Sequence, residues 1–394
     1  MIGNPIAIVI VLMMIEAAVL IAARQKRFAP LFDILPSVFF IYFLPMLAST
    51  FGLIDPKAPV LGKITANILP MSLFLLLVTV DVRAIFRLGG KALGMFFIGS
   101  AGVIVGAALA YVLVKQWVGA AFWAGFGALA ASWTGGSANM IAVKEAMSVP
   151  DAVFLPMVVV DTIVPYVWMG LLIAAVKWQP AFDRWNRADR GVLDELKART
   201  SAVKAAFATL TLPGLILLIV CALTAGFASQ YAAARMPQVK DILSPPSGAG
   251  AYAWTIIIVS FIGLGLSFTP VRRLEKAGAT KVGYWLLYFV LTAIGAKASL
   301  SNLGASAILI GGGFLIIAVH LIFLLVGARI LRAPLFLVAA ASQANIGGVA
   351  SAPVVAAVYE PGLASVGLLL AITGNIVGTY LGILCAQFCR LFSA

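Results

Sequence analysis

The chain has 394 residues, 63% of them hydrophobic and only 10% charged, with a mean hydropathy of +1.09. A soluble domain carries about 45–50% apolar and about 25% charged residues, so this composition excludes a water-solvated globule and requires lipid around much of the surface. The net charge of +13 does not point to nucleic acid, because the basic residues fall in short loops between apolar runs, where the positive-inside bias places them.

Apolar runs lie at about 5–23, 32–53, 60–81, 92–115, 119–147 and 150–177. A second set follows at about 206–229, 251–269, 281–300, 305–330, 334–358 and 362–391. A membrane helix needs about 20 apolar residues, so the pattern predicts an all-α integral membrane protein with about 12 (11–13) transmembrane helices. The first run has no basic residues before it and is followed by Arg24, Lys26 and Arg27, which marks a membrane helix rather than a signal peptide. Between the sets, residues 178–205 carry Asp183, Arg184, Arg187, Arg190, Glu195, Lys197 and Arg199, a polar linker or amphipathic surface helix. The predicted organisation is a first repeat at 1–177, the linker at 178–205 and a second repeat at 206–394. A Pro/Gly loop, Leu243 to Gly250, interrupts the second repeat.

The two halves resemble one another. Leu88-Gly-Gly-Lys-Ala92 precedes the fourth run, and Leu303-Gly-Ala-Ser-Ala307 precedes the tenth. Ala130-Ala-Ser-Trp-Thr-Gly-Gly136 within the fifth matches Ala340-Ala-Ser342 to Gly347-Gly348 within the eleventh, and Asp161-Thr-Ile-Val164 matches Gly374-Asn-Ile-Val377. The ordered matches keep an offset near 210–215, which argues for duplication where one Gly-Gly pair would not. Placing Arg24/Lys26/Arg27, Arg83/Arg87/Lys91, Arg272/Arg273/Lys276 and Arg329/Arg332 in the cytoplasm makes the repeats inverted. Six full crossings per half would instead make them parallel, so the charges and the count conflict.

The fifth and eleventh runs carry the candidate site. Each is apolar at both ends and small and polar in the middle, where glycine and proline invite a break: Thr134, Gly135, Gly136, Ser137 and Asn139 in one; Gln343, Asn345, Gly347, Gly348 and Ser351, followed by Pro353, in the other. Unpaired backbone at membrane depth is tolerated where it is buried in protein or lines a cavity, and paired broken helices are the usual pointer to a transport site. The freed N–H groups at a half-helix start can hold an anionic group, while carbonyl and amide oxygens can hold Na⁺. Helix packing through small residues is the competing reading. Asp161, mid-span beside Thr162 and between Pro156 and Pro165, is the candidate ion-coupling group, with Asn139 and Asn375 as neighbours. A carboxylate at that depth costs about 2.5–3.5 kcal/mol, which a cation or proton role would justify. Na⁺ could be held by Asn139, Asp161, Gln343 and Asn345.

Other polar residues rank lower. Lys144 and Glu145 close the fifth run, Asp81 and Lys297 sit at helix ends, and Glu16 lies inside the first run. His320, the only histidine, reads as a satisfied residue between helices, with a proton relay as the alternative. Cys221, Cys385 and Cys389 lie in apolar runs without metal-ligand companions. There is no Gly-x-x-x-x-Gly-Lys-Ser/Thr motif and no nucleophile–base pair, so neither ATP energisation nor enzyme chemistry is expected, nor any cofactor beyond a coupling ion.

The segments Trp133 to Asn139, Leu266-Ser-Phe-Thr-Pro270 with Arg272, and Ala341 to Gly348 resemble the YjcL-like family of bacterial and plastid membrane proteins, over nearly the whole chain. That family is similar to the superfamily of cation/proton antiporters and bile-acid-type sodium symporters. The resemblance implies two discontinuous, crossing helices in a mobile core (residues about 92–177 and 305–391) beside a panel or scaffold, an elevator-type movement and a homodimer. Proton-coupled relatives place an acidic residue after the first broken helix, the position Asp161 occupies. The expected function is a Na⁺- or H⁺-coupled secondary transporter of a small organic, carboxylate-bearing solute in the bacterial inner membrane. A cation/proton antiporter is the alternative, and a channel or pore-forming regulator a more distant one.

Overall fold

The computed structural model describes residues 2–34, 37–189, 191–200, 210–236, 250–297, 306–360 and 363–393. The start of the second Leu-Gly motif (303–305), the Pro/Gly loop at 243–249 and part of the polar linker (190 and 201–205) lie outside these residues. Among the described residues there is no strand, only one isolated parallel bridge between Ile2 and Ile54.

The helices of the first half are α1 (Pro5–Ala22), α2 (Ala29–Ile34), α3 (Ser37–Thr50), α4 (Pro59–Val78), α5 (Val82–Phe86), α6 (Gly89–Val118), α7 (Phe122–Gly135), α8 (Ser137–Ala146) and α9 (Asp151–Ala174). The polar segment forms α10 (Gln179–Asn186) and α11 (Gly191–Thr200). Then come α12 (Leu212–Ala233), α13 (Gly250–Ser267), α14 (Ala279–Lys297), α15 (Ser306–Leu331), α16 (Leu335–Ile346), α17 (Gly348–Tyr359) and α18 (Ala364–Arg390). The ends are capped as the sequence allows: the Asn4 side chain accepts the Ile6 and Ala7 N–H groups ahead of α1, and Thr211 accepts that of Gly214 ahead of α12.

Among the described residues eight helices are long and apolar enough to cross a membrane, and a ninth if α13 and the 3-10 turn at Pro270–Ala277, bent by 97° from it, count as one. The protein is therefore a multi-pass membrane protein. The shortfall from twelve has a physical origin. The runs at 119–147 and 334–358 are each divided into two short helices, α7/α8 and α16/α17, by a glycine with positive φ: Gly136 at +83° and Gly348 at +65°. The run at 32–53 yields only the fourteen residues of α3.

The chain forms two compact units. The first comprises Met1–Val80, Glu145–Val158 and Ala206–Gly304. At one of its ends Ile2 N–H bonds the Leu53 carbonyl, and Ile8, Leu12, Ile54, Ala58, Leu61, Ala293 and Ala296 cluster, so the start of α1, the α3–α4 corner and the end of α14 meet there. Towards the same end, Gln230 of α12 and Tyr252 of α13 bond the Ala66 and Thr65 carbonyls of α4. At the other end Thr79, after α4, meets Thr280 at the start of α14.

The second unit comprises Asp81–Lys144, Val159–Ala205 and Ala305–Ala394, so α10 and α11 belong to it. Its α6 and α15 run antiparallel in close contact: a methyl at Gly106 would fall 3.0 Å from Ile316 Cα and one at Gly102 would fall 2.8 Å from His320 Cα. α7 and α18 approach closest of all. Gly127, Ala131 and Gly135 face Ala386, Gly382, Gly378 and Gly374, and a methyl at Gly378 would fall 2.6 Å from Gly135 Cα. Small residues at every fourth position let two backbones touch where lipid supplies no hydrophobic drive.

Candidate functional site

The site is built in the second unit around the two glycine breaks. At the first, α7 ends on Gly135 and α8 starts at Ser137, with Gly136 in a backbone conformation that L side chains rarely adopt. Gly136 N–H still bonds the Ser132 carbonyl, and Asn139 N–H turns back to the Gly136 carbonyl. Gly136, Ser137 and Ala138 are half-buried, whereas Thr134 and Asn139 are buried.

Asn139 is engaged at both ends of its amide. Its Nδ2 donates to the Gly135 carbonyl at 2.5 Å and, at 3.4 Å, to that of Asn375, while its Oδ1 accepts the Thr379 hydroxyl at 2.5 Å. It brackets the break against α18. The Thr134 hydroxyl bonds the Ala130 carbonyl one turn back, and its own carbonyl packs on Gly374. Asn375, half-buried, presents its Oδ1 to Gly136. Thr134, Gly135, Gly136, Asn139 and Asn375 are thus brought together, and Gly374 serves as a contact surface with no room for a side chain.

Asp161 lies on α9 beside the end of α7. The Ser132 hydroxyl and Trp133 indole face its carboxylate, with the buried Trp133 Nε1 short of a full hydrogen bond. Among the described residues no Lys or Arg faces it. Thr162 beside it is buried.

At the second break Gln343 Nε2 donates to Ser351 Oγ at 2.7 Å across the interruption, and both groups close over Gly347. Gln343 and Asn345 are 1% and 0% exposed, yet Gln343 Oε1 and Asn345 Oδ1 have no hydrogen-bond partner among the described residues. Buried amide oxygens left unpaired are costly, so a site with two of them is a candidate to receive a cation or a donor. Asn345 Nδ2 donates to Ser100 Oγ of α6.

A polar chain ties this second break to three helices. His320 Nδ1 lies 2.8 Å from the Gly99 carbonyl and Nε2 lies 2.9 Å from Ser342 Oγ, which also accepts the Trp168 indole N–H at 2.8 Å. A carbonyl can only accept, so Nδ1 carries the proton, and the Ser342 hydroxyl donates to Nε2. A neutral histidine satisfies every member. Ser100, Ser132, Trp133, Trp168, Ser342 and Thr379 were not among the residues singled out from sequence. The Ala-Ala-Ser triplet ahead of both Gly-Gly motifs was the available signal for Ser132 and Ser342. Lys144 is buried rather than at a surface, and Glu16 is buried on the inward face of α1. Cys385 and Cys389 are buried and Cys221 is half-buried, all free. Among the described residues no cluster of His, Cys, Asp or Glu could hold a metal ion.

Residues 11–392 match the model of a family described as a protein of unknown function, DUF819, and the chain belongs to that family. It is similar to the uncharacterized membrane protein YjcL of Bacillus subtilis (strain 168), with 27% identity over 349 residues, 86% of each chain.

Proposed function

We propose that this member of a family without an assigned activity is a secondary active transporter, coupled to Na⁺ or H⁺, that moves a small organic solute bearing a carboxylate. One observation carries the reading: Asp161 stands in a membrane helix with no cationic partner among the described residues, faced by Ser132 and Trp133, beside a helix broken at Gly136. A carboxylate so placed binds a cation or cycles a proton. The half-buried start of α8, at Ser137 and Ala138, offers backbone N–H groups to the solute's anionic end. The unpaired oxygens of Gln343 and Asn345 offer acceptors to Na⁺ or to a donor on the solute. Asn139, being spent on the α7–α18 bracket, acts by shaping the site rather than as a ligand.

The division of the chain into two units, one holding both broken helices, supports an elevator-type movement and the likeness to antiporters and sodium symporters. The order of α6 to α9 and of α15 to α18, each with a positive-φ glycine after a half-helix, supports duplication. A homodimer in the bacterial inner membrane, with no cofactor and no enzymatic step, completes the reading. A cation/proton antiporter without an organic substrate is favoured instead by the same lone carboxylate.

The test is Asp161→Asn in proteoliposomes. Ion-coupled uptake should disappear while the thermal stability of the purified protein is kept; undiminished, still ion-dependent uptake would defeat the assignment. Solute-dependent stabilisation that requires Na⁺ indicates symport, and stabilisation by Na⁺ alone that protons reverse indicates antiport.

A further inference from the structure

We infer that both broken helices are re-entrant hairpins, entering the membrane from opposite faces, so that the chain crosses ten times. The second unit has two ends, and contacts place the starts of α6, α7 and α16 and the ends of α6, α15, α17 and α18 at one or the other. At one end, α10 gathers the rest. Asp183 accepts the Leu335 N–H at the start of α16, and Asn186 holds the Ala328 and Ala333 carbonyls of the α15–α16 corner. Asp189 pairs with Lys91 at the start of α6, and Gln179 donates to Glu360 just past α17. At the opposite end Lys115 of α6 bonds the Phe392 carbonyl after α18, and Arg390 lies over Trp123 at the start of α7.

The second hairpin follows from lengths. A straight helix from Leu335 to Tyr359 would be about 37 Å long. Its two extremities instead bond Asp183 and Gln179, which are one turn, about 6 Å, apart on α10. Tyr359 also reaches the Leu172 carbonyl near the end of α9. So α16 and α17 leave and return at the α10 end, folded at Gly347–Gly348.

The first hairpin follows from α9. Leu172 marks the α10 end, Trp168 meets Ser342 part-way along α16, and Asp161 is level with Ser132, ten residues into α7. Continuing back along the helix, the ten residues before Asp161 lead about 15 Å further from the α10 end. α8 therefore finishes on the side from which α7 started.

The charges agree independently. With hairpins at α7/α8 and α16/α17, and with α2 and α3 in series making one crossing because α3 alone is too short, each half crosses five times: α1, α2/α3, α4, α6 and α9, then α12, α13, α14, α15 and α18. An odd number per half inverts the second. Arg24–Arg27, Arg83–Lys91, the polar segment with Arg184 and Arg187, Arg272–Lys276 and Arg329–Arg332 then all lie on one face, which the positive-inside bias makes cytoplasmic. With twelve crossings, the polar segment, Arg272–Lys276 and Arg329–Arg332 would all face outward. The start of α1 and the end of α18 are then on the external side. Resting on the transporter reading, each hairpin is the gate for one face: α7/α8 from outside, α16/α17 from the cytoplasm.

The test is labelling of single-cysteine variants, with Cys221, Cys385 and Cys389 replaced by alanine, using an impermeant maleimide on intact cells. Ala120→Cys and Ser148→Cys, on the loops flanking α7/α8, should both react; Arg187→Cys and Arg332→Cys should react only after permeabilisation. Protection of Ser148→Cys beside a reactive Ala120→Cys would overturn the inference. Trypsin on the unmodified chain is the second measurement. It should cut the segment around Arg187 in inverted vesicles and spare it in spheroplasts, and the reverse pattern would overturn the inference. Neither readout depends on transport, so it can fail or hold apart from the function proposed above.

Discussion

Gly378 and Asn139 make the case at the scale of single residues. Gly378 packs on Gly135 so closely that any larger side chain must part α7 from α18. Gly378→Leu is expected to destabilise by about 1–3 kcal/mol, read as a lowered melting temperature in detergent, whereas Gly265→Ala, in open space on α13, should be near neutral. Asn139→Ala removes the partner of the Thr379 hydroxyl and one donor to two carbonyls, and should cost about 1–3 kcal/mol by the same assay. The glycines were visible in the sequence, but their use was not. The match of Gly374 with Asp161 between the halves says nothing of its use, and the structure makes Gly374 the point where two helices touch. Similarly, His320 stood in an apolar run with no partner in sight, because Gly99 and Ser342 reach it only when α6, α15 and α16 assemble.

Among the elements, α10 shows how a polar segment can belong to a membrane unit. Its residues were legible as helix-forming and charged, yet their partners lie about 150 positions away. The Asp183 carboxylate caps α16 in trans, replacing the cap that Pro334 cannot supply. Asp183→Ala should therefore destabilise α16 by about 0.5–2 kcal/mol, measurable as faster hydrogen exchange at Leu335 to Val338. The neighbouring Lys91–Asp189 contact is exposed. Lys91, by its hydrogen bond and then its charge, holds the Asp189 carboxyl below the usual carboxylate range. A depressed carboxyl stabilises above its unfolded pKa of about 3.9 and loses that contribution as pH falls through the folded value. The tie should hold unchanged from pH 5 to 8 and loosen only in strong acid, seen as rising protease sensitivity at Arg187.

For the molecule as a whole, the distribution of basic loops and the number of crossings are linked, and the hairpins reconcile them. A stability screen of the purified protein against small carboxylates in varied Na⁺ and pH should reveal a solute whose stabilisation needs the coupling ion. No solute effect, with Na⁺ alone stabilising and protons reversing it, would favour antiport. By itself the sequence determined the membrane, the two sets of apolar runs, the paired Gly-Gly breaks and Asp161, since each depends on composition or local pattern. Only the tertiary structure decided which way the broken helices turn, which glycines are contact surfaces and which amide oxygens stay unpaired. Those depend on distances between segments far apart in the chain, and an apolar run of 25 residues reads the same whether it crosses a bilayer or folds back within it.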